Sequence, residues 1–152
     1  MKITGIAATL VASLLVASSA VAQERGTAAE AIALTQKTVA LLKTGPVQQV
    51  YSEINSKDAR FIDRDLYVFI QDYKGLVLAH AINPKLVGKD ASENQDVDGK
   101  FYVKERLELV KTQKAFWHDY KFSNPTTKKI ETKSVYCEAR TEDIVCVGIY
   151  KQ

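Results

Sequence analysis

From Glu24 to Lys43 the apolar residues Ala28, Ile32, Val39 and Leu42 recur at helical spacing, with Ala31, Leu34 and Leu41 beside that stripe and no Gly or Pro after Gly26. The pattern predicts a long helix with a broad buried face. Thr44, Gly45 and Pro46 end it, and Pro46 stands where a first-turn proline opens a second, shorter helix carrying Val47, Val50, Tyr51 and Ile54. After a polar connection ending at Asp65, the apolar positions switch to strict alternation. "LYVFIQD" (66–72) and "LVLAHAI" (76–82) read as strands around the turn "DYKG", where Gly75 is free to take a positive φ.

Residues 83–99 are polar, contain Pro84, Gly88 and Gly99, and have no period of their own, which predicts a long loop of the kind that carries function. Helical spacing returns with Val103, Leu107 and Val110, and three more strands follow in "AFWHDYKF", "ETKSVYCEA" and "DIVCVGIY". The pattern as a whole predicts an α+β fold, a five-stranded antiparallel sheet with a long N-terminal helix packed on it.

The first 22 residues fall outside this scheme. Lys2 precedes an apolar run from Ile3 to Val16 broken only by small residues, and Ala20 and Ala22 satisfy a small-x-small rule before Gln23. Residues 1–22 are expected to be a signal peptide. An uncleaved membrane anchor is the alternative, since the stretch is just long enough to span a bilayer, but its Ala- and Ser-rich end favours cleavage. Residues 23–152 then make one exported domain, periplasmic or secreted, with N-terminal helices in 24–57 and the sheet in 65–150. That length supports a single core.

Export bears on the two cysteines, Cys137 and Cys146, which both lie in "SVYCEARTEDIVCVGIY". With Thr141 and Glu142 at a hairpin tip, Arg140 faces Asp143, Ala139 faces Ile144, and Cys137 faces Cys146. Directly opposed Cβ atoms sit roughly 4.5 to 5.5 Å apart, within reach of a disulfide. Two buried free thiols are the other reading, and an oxidising compartment favours the bond. The chain carries 21 basic and 18 acidic residues spread without a basic block, which gives no footprint for nucleic acid.

The blocks "DLYVFIQDYKGLVLAHAINPKLVGKD", "DVDGKFYVKERLELV", "FWHDYKFSNPTTKKIETKSVY" and "VGIY" resemble, in order and spacing, a Cache domain of the single type 2 kind found in the extracytoplasmic part of bacterial chemoreceptors and sensor kinases. The resemblance runs from about Asp65 to Tyr150. It implies a PAS-like fold in which one face of the sheet, with the loop and short helix after the second strand, encloses a pocket for a small organic molecule. Receptors of that kind continue into a second membrane helix and an output module. This chain stops at Gln152, so it is expected to signal only through a partner such as a membrane-bound sensor or receptor. The cysteine pair is expected to be a local addition that staples the sheet.

Two other chemistries have partial signals in the chain. "NQDVDGKFYVKE" places oxygens at Asn94, Asp96 and Asp98, a Gly at 99 and Glu105 in the spacing of a calcium loop. Pro84 and Gly88 spoil the incoming helix such a loop needs, so no metal is expected. His80 and His118 stand in separate strands, with no strained Gly-x-Ser-x-Gly elbow and no Cys-x-x-Cys-His. Neither an enzyme nor a bound cofactor is expected.

Alternation nominates the ligand-binding residues. Tyr67, Phe69 and Gln71 share one strand face, and Leu76, Leu78 and His80 share one face of the next. The third strand brings Trp117 and Tyr120, the fourth Lys133 and Tyr136, and the helix Tyr102 and Arg106. Apolar bodies with polar tips are what a small-molecule pocket needs. The expected site is therefore Tyr67, Phe69, His80, Tyr102, Arg106, Trp117, Tyr120, Lys133 and Tyr136. Lysine, arginine and tyrosine donors suit a short carboxylate. A structural or protein-interaction domain with no ligand is the alternative function.

Overall fold

The computed structural model describes residues 24–151; the expected signal peptide at 1–22 lies outside them. Helix α1 (Ala28–Thr44) begins four residues later than the apolar pattern alone suggests, because Thr27 caps it. The Thr27 side chain accepts the Glu30 backbone N–H while the Glu30 carboxylate accepts the Thr27 N–H, satisfying two orphan donors at once. Helix α2 (Val47–Asn55) follows directly, with Pro46 at the cap position just ahead of its first turn.

The connection to the sheet holds a short 3₁₀ turn at Ala59–Phe61 and a two-residue strand, β1 (Ile62–Asp63). Strand β2 (Leu66–Asp72) pairs with β1 at one end and with β3 (Val77–His80) farther along the same edge. Helix α3 (Tyr102–Leu109) precedes β4 (Ala115–Ser123), β5 (Ile130–Ala139) and β6 (Asp143–Tyr150). The sheet is antiparallel throughout, in the order β1-β2-β6-β5-β4 with β3 beside β2. The five expected strands all form, and β1 is added at the edge.

Cys137 and Cys146 are direct partners across β5 and β6, and they form a disulfide with Cα atoms 4.2 Å apart. The hairpin tip matches the register read from the sequence, with Ala139 opposite Ile144 and the Arg140 N–H donating to Asp143 O.

One face of the sheet presents Val68, Ile70, Val145 and Val147, all fully buried. Helix α1 packs along β6, β5 and β2 and covers this face. The other face presents Tyr67, Phe69, Gln71, Tyr120 and Lys133, which line a cavity. The loop after β3 and helix α3 form its outer wall, through Leu86, Asp90, Asn94, Tyr102 and Arg106. That loop is stitched to the sheet: Val77 N–H donates to Lys89 O, Gly88 N–H to Val77 O and Ala91 N–H to Gly75 O.

The second strand departs from simple alternation. Gln71 pairs with Val77 but Ile70 pairs with Ala79, so Leu78 is an extra residue in a β-bulge. The bulge resets the facing, and Val77 and His80, in place of Leu76, Leu78 and His80, point into the cavity.

Candidate functional site

Seven of the nine nominated residues line one cavity of about 290 Å³: Tyr67, Phe69, His80, Tyr102, Arg106, Tyr120 and Lys133. At roughly 30 Å³ per water, that space accommodates a small organic molecule and a few waters. Trp117 and Tyr136 do not line it. They are cross-strand partners on the opposite face, their rings 5.3 Å apart, with Trp117 exposed and the Tyr136 hydroxyl donating to Glu138.

Two cations dominate the cavity, Arg106 and Lys133, each only 1 % exposed. Arg106 comes from the inner face of α3. Its Nε donates to His118 Nε2 at 3.1 Å, Nη1 donates to Gln71 Oε1, and Nη2 lies 3.5 Å from the Tyr120 hydroxyl. Lys133 comes from β5, and its Nζ donates to the Tyr67 hydroxyl at 2.6 Å. None of these partners is a carboxylate. The cations share an aromatic wall, the Phe69 ring lying 4.9 Å from the Arg106 guanidinium carbon and 5.1 Å from Lys133 Nζ. Tyr67, Tyr150 and Phe122 complete a cage about the lysine, at 3.9, 5.3 and 5.5 Å. Ring quadrupoles offset part of the cost of burying each charge.

The rest of that cost appears in the titration of these groups. Burial first, and then the Arg106 charge, holds the Lys133 amine well below its ordinary range, with Asp65 opposing. Burial likewise lowers Arg106 and pushes the Tyr120 phenol up to about 12. His80 is pushed down to about 3 by burial and by Lys133. His118 falls to about 2 through burial, Arg106, Lys100 and Lys133. Both imidazoles are therefore neutral near pH 7.

Their tautomers follow from their partners. His80 Nδ1 accepts the Asn83 N–H at 3.1 Å, so its proton sits on Nε2. His118 Nε2 accepts from Arg106, so its proton sits on Nδ1, 3.5 Å from a Glu105 oxygen. The Tyr150 hydroxyl donates to Ser123 O at 2.7 Å, which leaves the Tyr67 hydroxyl to donate to Tyr150 across 3.2 Å. A directed chain thus runs from Lys133 through Tyr67 and Tyr150 to Ser123.

Gly148 makes room for the lysine. A Cβ there would stand 2.3 Å from Lys133 Cε and 3.1 Å from its Cγ, so the lysine stem lies flat across β6 only because position 148 has no side chain. A glycine inside a strand is the sequence signal of such a close approach. Gln71, which fixes one arm of Arg106, also lies outside the expected set, as do Val77, Leu86, Asp90, Asn94 and Phe122 in the cavity wall.

The loop residues with calcium-type spacing are engaged elsewhere. Asp96 accepts backbone N–H groups of Asp98, Lys100 and, across the gap to β4, Lys121. Asp98 pairs with Lys121 at 2.8 Å and Glu105 with Lys100 at 2.7 Å. Among the described residues, no helix is long and apolar enough to cross a membrane.

A family profile described as Single Cache domain 2 matches residues 6–150. Among solved structures, the chain is similar to one titled as the structural basis for carboxylic acid recognition by a Cache chemosensory domain, at 25 % identity and a TM-score of 0.70, covering 82 % of this chain and 92 % of that one. It is similar in fold to a methyl-accepting chemotaxis protein from Vibrio parahaemolyticus, at 21 % identity and a TM-score of 0.69, covering 80 % of this chain and 86 % of that one. A periplasmic sensor domain of a chemotaxis protein aligns at 19 % identity and a TM-score of 0.63, covering 82 % and 90 %. None of the curated proteins compared with the chain matches it.

Proposed function

The chain belongs to the single Cache domain 2 family, and from that premise we propose that it is an exported sensor module whose cavity binds a short carboxylate and which acts through a membrane-bound partner. The observation that carries this reading is the pairing of two buried cations in one cavity with, among the described residues, no carboxylate as a hydrogen-bond partner of either. A buried charge left unpaired is costly, and an anionic ligand supplies the missing partner. The Lys133 ammonium, the remaining Arg106 N–H groups and the His80 Nε2–H are donors, matched to carboxylate oxygens. The apolar walls of Phe69, Val77, Leu86 and Phe122 suit a short hydrocarbon portion. The neighbour titled for carboxylic acid recognition supports the same ligand class.

Binding and sensing are linked through the lysine. A carboxylate that draws Lys133 Nζ toward itself weakens the bond to Tyr67, the first link of the chain that ends at Tyr150 in the last strand. The proposed site is Tyr67, Phe69, His80, Tyr102, Arg106, Tyr120 and Lys133, with residues 1–22 removed on export.

Thermal denaturation against a panel of short carboxylates and amino acids tests the reading. At about 100 times its dissociation constant a ligand adds roughly 2.7 kcal/mol, a rise of about 5 to 15 °C in a domain of this size. Lys133→Met removes the shift. If no acid in the panel moves the transition and none is carried through purification, the sensor reading fails.

A further inference from the structure

Resting on the carboxylate reading above, we propose that the cavity also takes 2-oxo acids and holds them covalently, with Lys133 Nζ forming a reversible imine with the ligand's carbonyl carbon. The lysine is placed as a nucleophile. Its stem is fixed over Gly148, its side chain lines the cavity, and among the described residues its one hydrogen-bond partner is the Tyr67 hydroxyl. Arg106 shares the Phe69 wall with the lysine, at 4.9 Å against 5.1 Å from the ring. A ligand whose carboxylate meets the Arg106 side therefore presents the adjacent carbonyl toward Lys133.

An amine attacks only when neutral, and two conditions favour that form: desolvation in an apolar pocket and a neighbouring cation. Lys133 meets both, since burial and Arg106 each hold it below the ordinary lysine range. Lys128, by contrast, stands exposed to water.

The step balances without an added reagent. The Nζ lone pair forms the bond to the carbonyl carbon, giving a carbinolamine whose oxygen takes up a proton. The carbon–oxygen bond then breaks, the two amine hydrogens leave with the carbonyl oxygen as water, and a C=N bond remains. The Tyr67 oxygen, already 2.6 Å from Nζ, is positioned to pass the proton from nitrogen to oxygen. Burial slows the return of water.

Incubation with pyruvate and sodium cyanoborohydride, followed by peptide mapping, tests the proposal. One reduced adduct is expected on Lys133, forming several-fold faster than on exposed lysines, because the cavity positions its amine against the bound carbonyl and burial favours its neutral form. Excess propionate, which fills the site but has no carbonyl, suppresses it, and Lys133→Met abolishes it. If pyruvate raises the melting temperature yet Lys133 stays unmodified, the imine is overturned and the carboxylate reading stands. Equal labelling of all lysines also overturns the imine. If neither pyruvate nor propionate shifts melting, the imine is overturned, and the carboxylate reading falls with it only when the rest of the acid panel also fails.

Discussion

The two faces of the sheet are built from the same strands and do opposite work. Toward α1, Val68, Ile70, Val145 and Val147 make a fully buried aliphatic layer with no polar atom to satisfy. Toward α3 and its loop, the alternate positions Tyr67, Phe69, Gln71, Tyr120 and Lys133 line a cavity, and His118 is buried behind Arg106. The first face repays the entropy of folding through dense packing. The second costs stability, because it buries two cations and two neutral imidazoles on the side of the sheet where packing leaves a space unfilled. Period-two geometry lets one strand serve both ends without compromise at any single residue.

The comparison breaks most visibly on the helix side. Ile70→Ala is expected to lower unfolding free energy by about 2 to 5 kcal/mol through cavity formation, measured by denaturant titration, while leaving carboxylate-induced stabilisation intact. Loss of ligand response in this variant would show that the faces are not separable.

Next in size is an acid sensitivity that belongs to the cavity side. His80 and His118 titrate at about 3 and about 2 when folded, against about 6.5 unfolded. Below pH 6.5 the unfolded chain binds protons that the folded chain refuses, so stability falls with falling pH through the window from 6.5 toward 3, and is fully present above it. Each histidine contributes up to about 1.4 kcal/mol per pH unit in that window. Melting between pH 7 and 5 should show the loss, and His80→Gln or His118→Asn should flatten it. A flat profile in the wild type would mean that the imidazoles protonate without unfolding.

Lys133→Met inverts the first test. Replacing a buried, unpaired charge by an apolar isostere is expected to leave stability within about 1 kcal/mol of wild type or to raise it, while abolishing the response to carboxylates. A fall of several kcal/mol would mark the lysine as structural. Smallest of all is Tyr136→Phe on the helix side, expected within about 0.5 kcal/mol for both stability and ligand response. A large loss of ligand response there would place binding on the wrong face.

The elements were legible because alternation and helical spacing are strong in this chain, and the cysteine register followed from counting outward from one turn. Which side chains meet was less legible. Residues three apart in a strand point to opposite faces, so Trp117 and Tyr120 cannot share a wall, nor can Lys133 and Tyr136. Parity alone separates each pair, although it does not say which partner faces the cavity. The β-bulge at Leu78 leaves no mark in composition, and it turned the facing of β3. Gly148 carried a signal, a glycine in the middle of an apolar strand, whose meaning appears only when Lys133 is seen lying across it.

The backbone bonds that stitch residues 88–91 to the second strand and its turn have a kinetic consequence. A wall held by strand-type hydrogen bonds is assembled before any ligand arrives, so entry does not wait on the folding of a lid. Little ordering entropy is then charged to each binding event. On the carboxylate reading, arrival is governed by encounter at the mouth, departure by the strength of the anion contacts, and occupancy tracks a changing supply within one residence time.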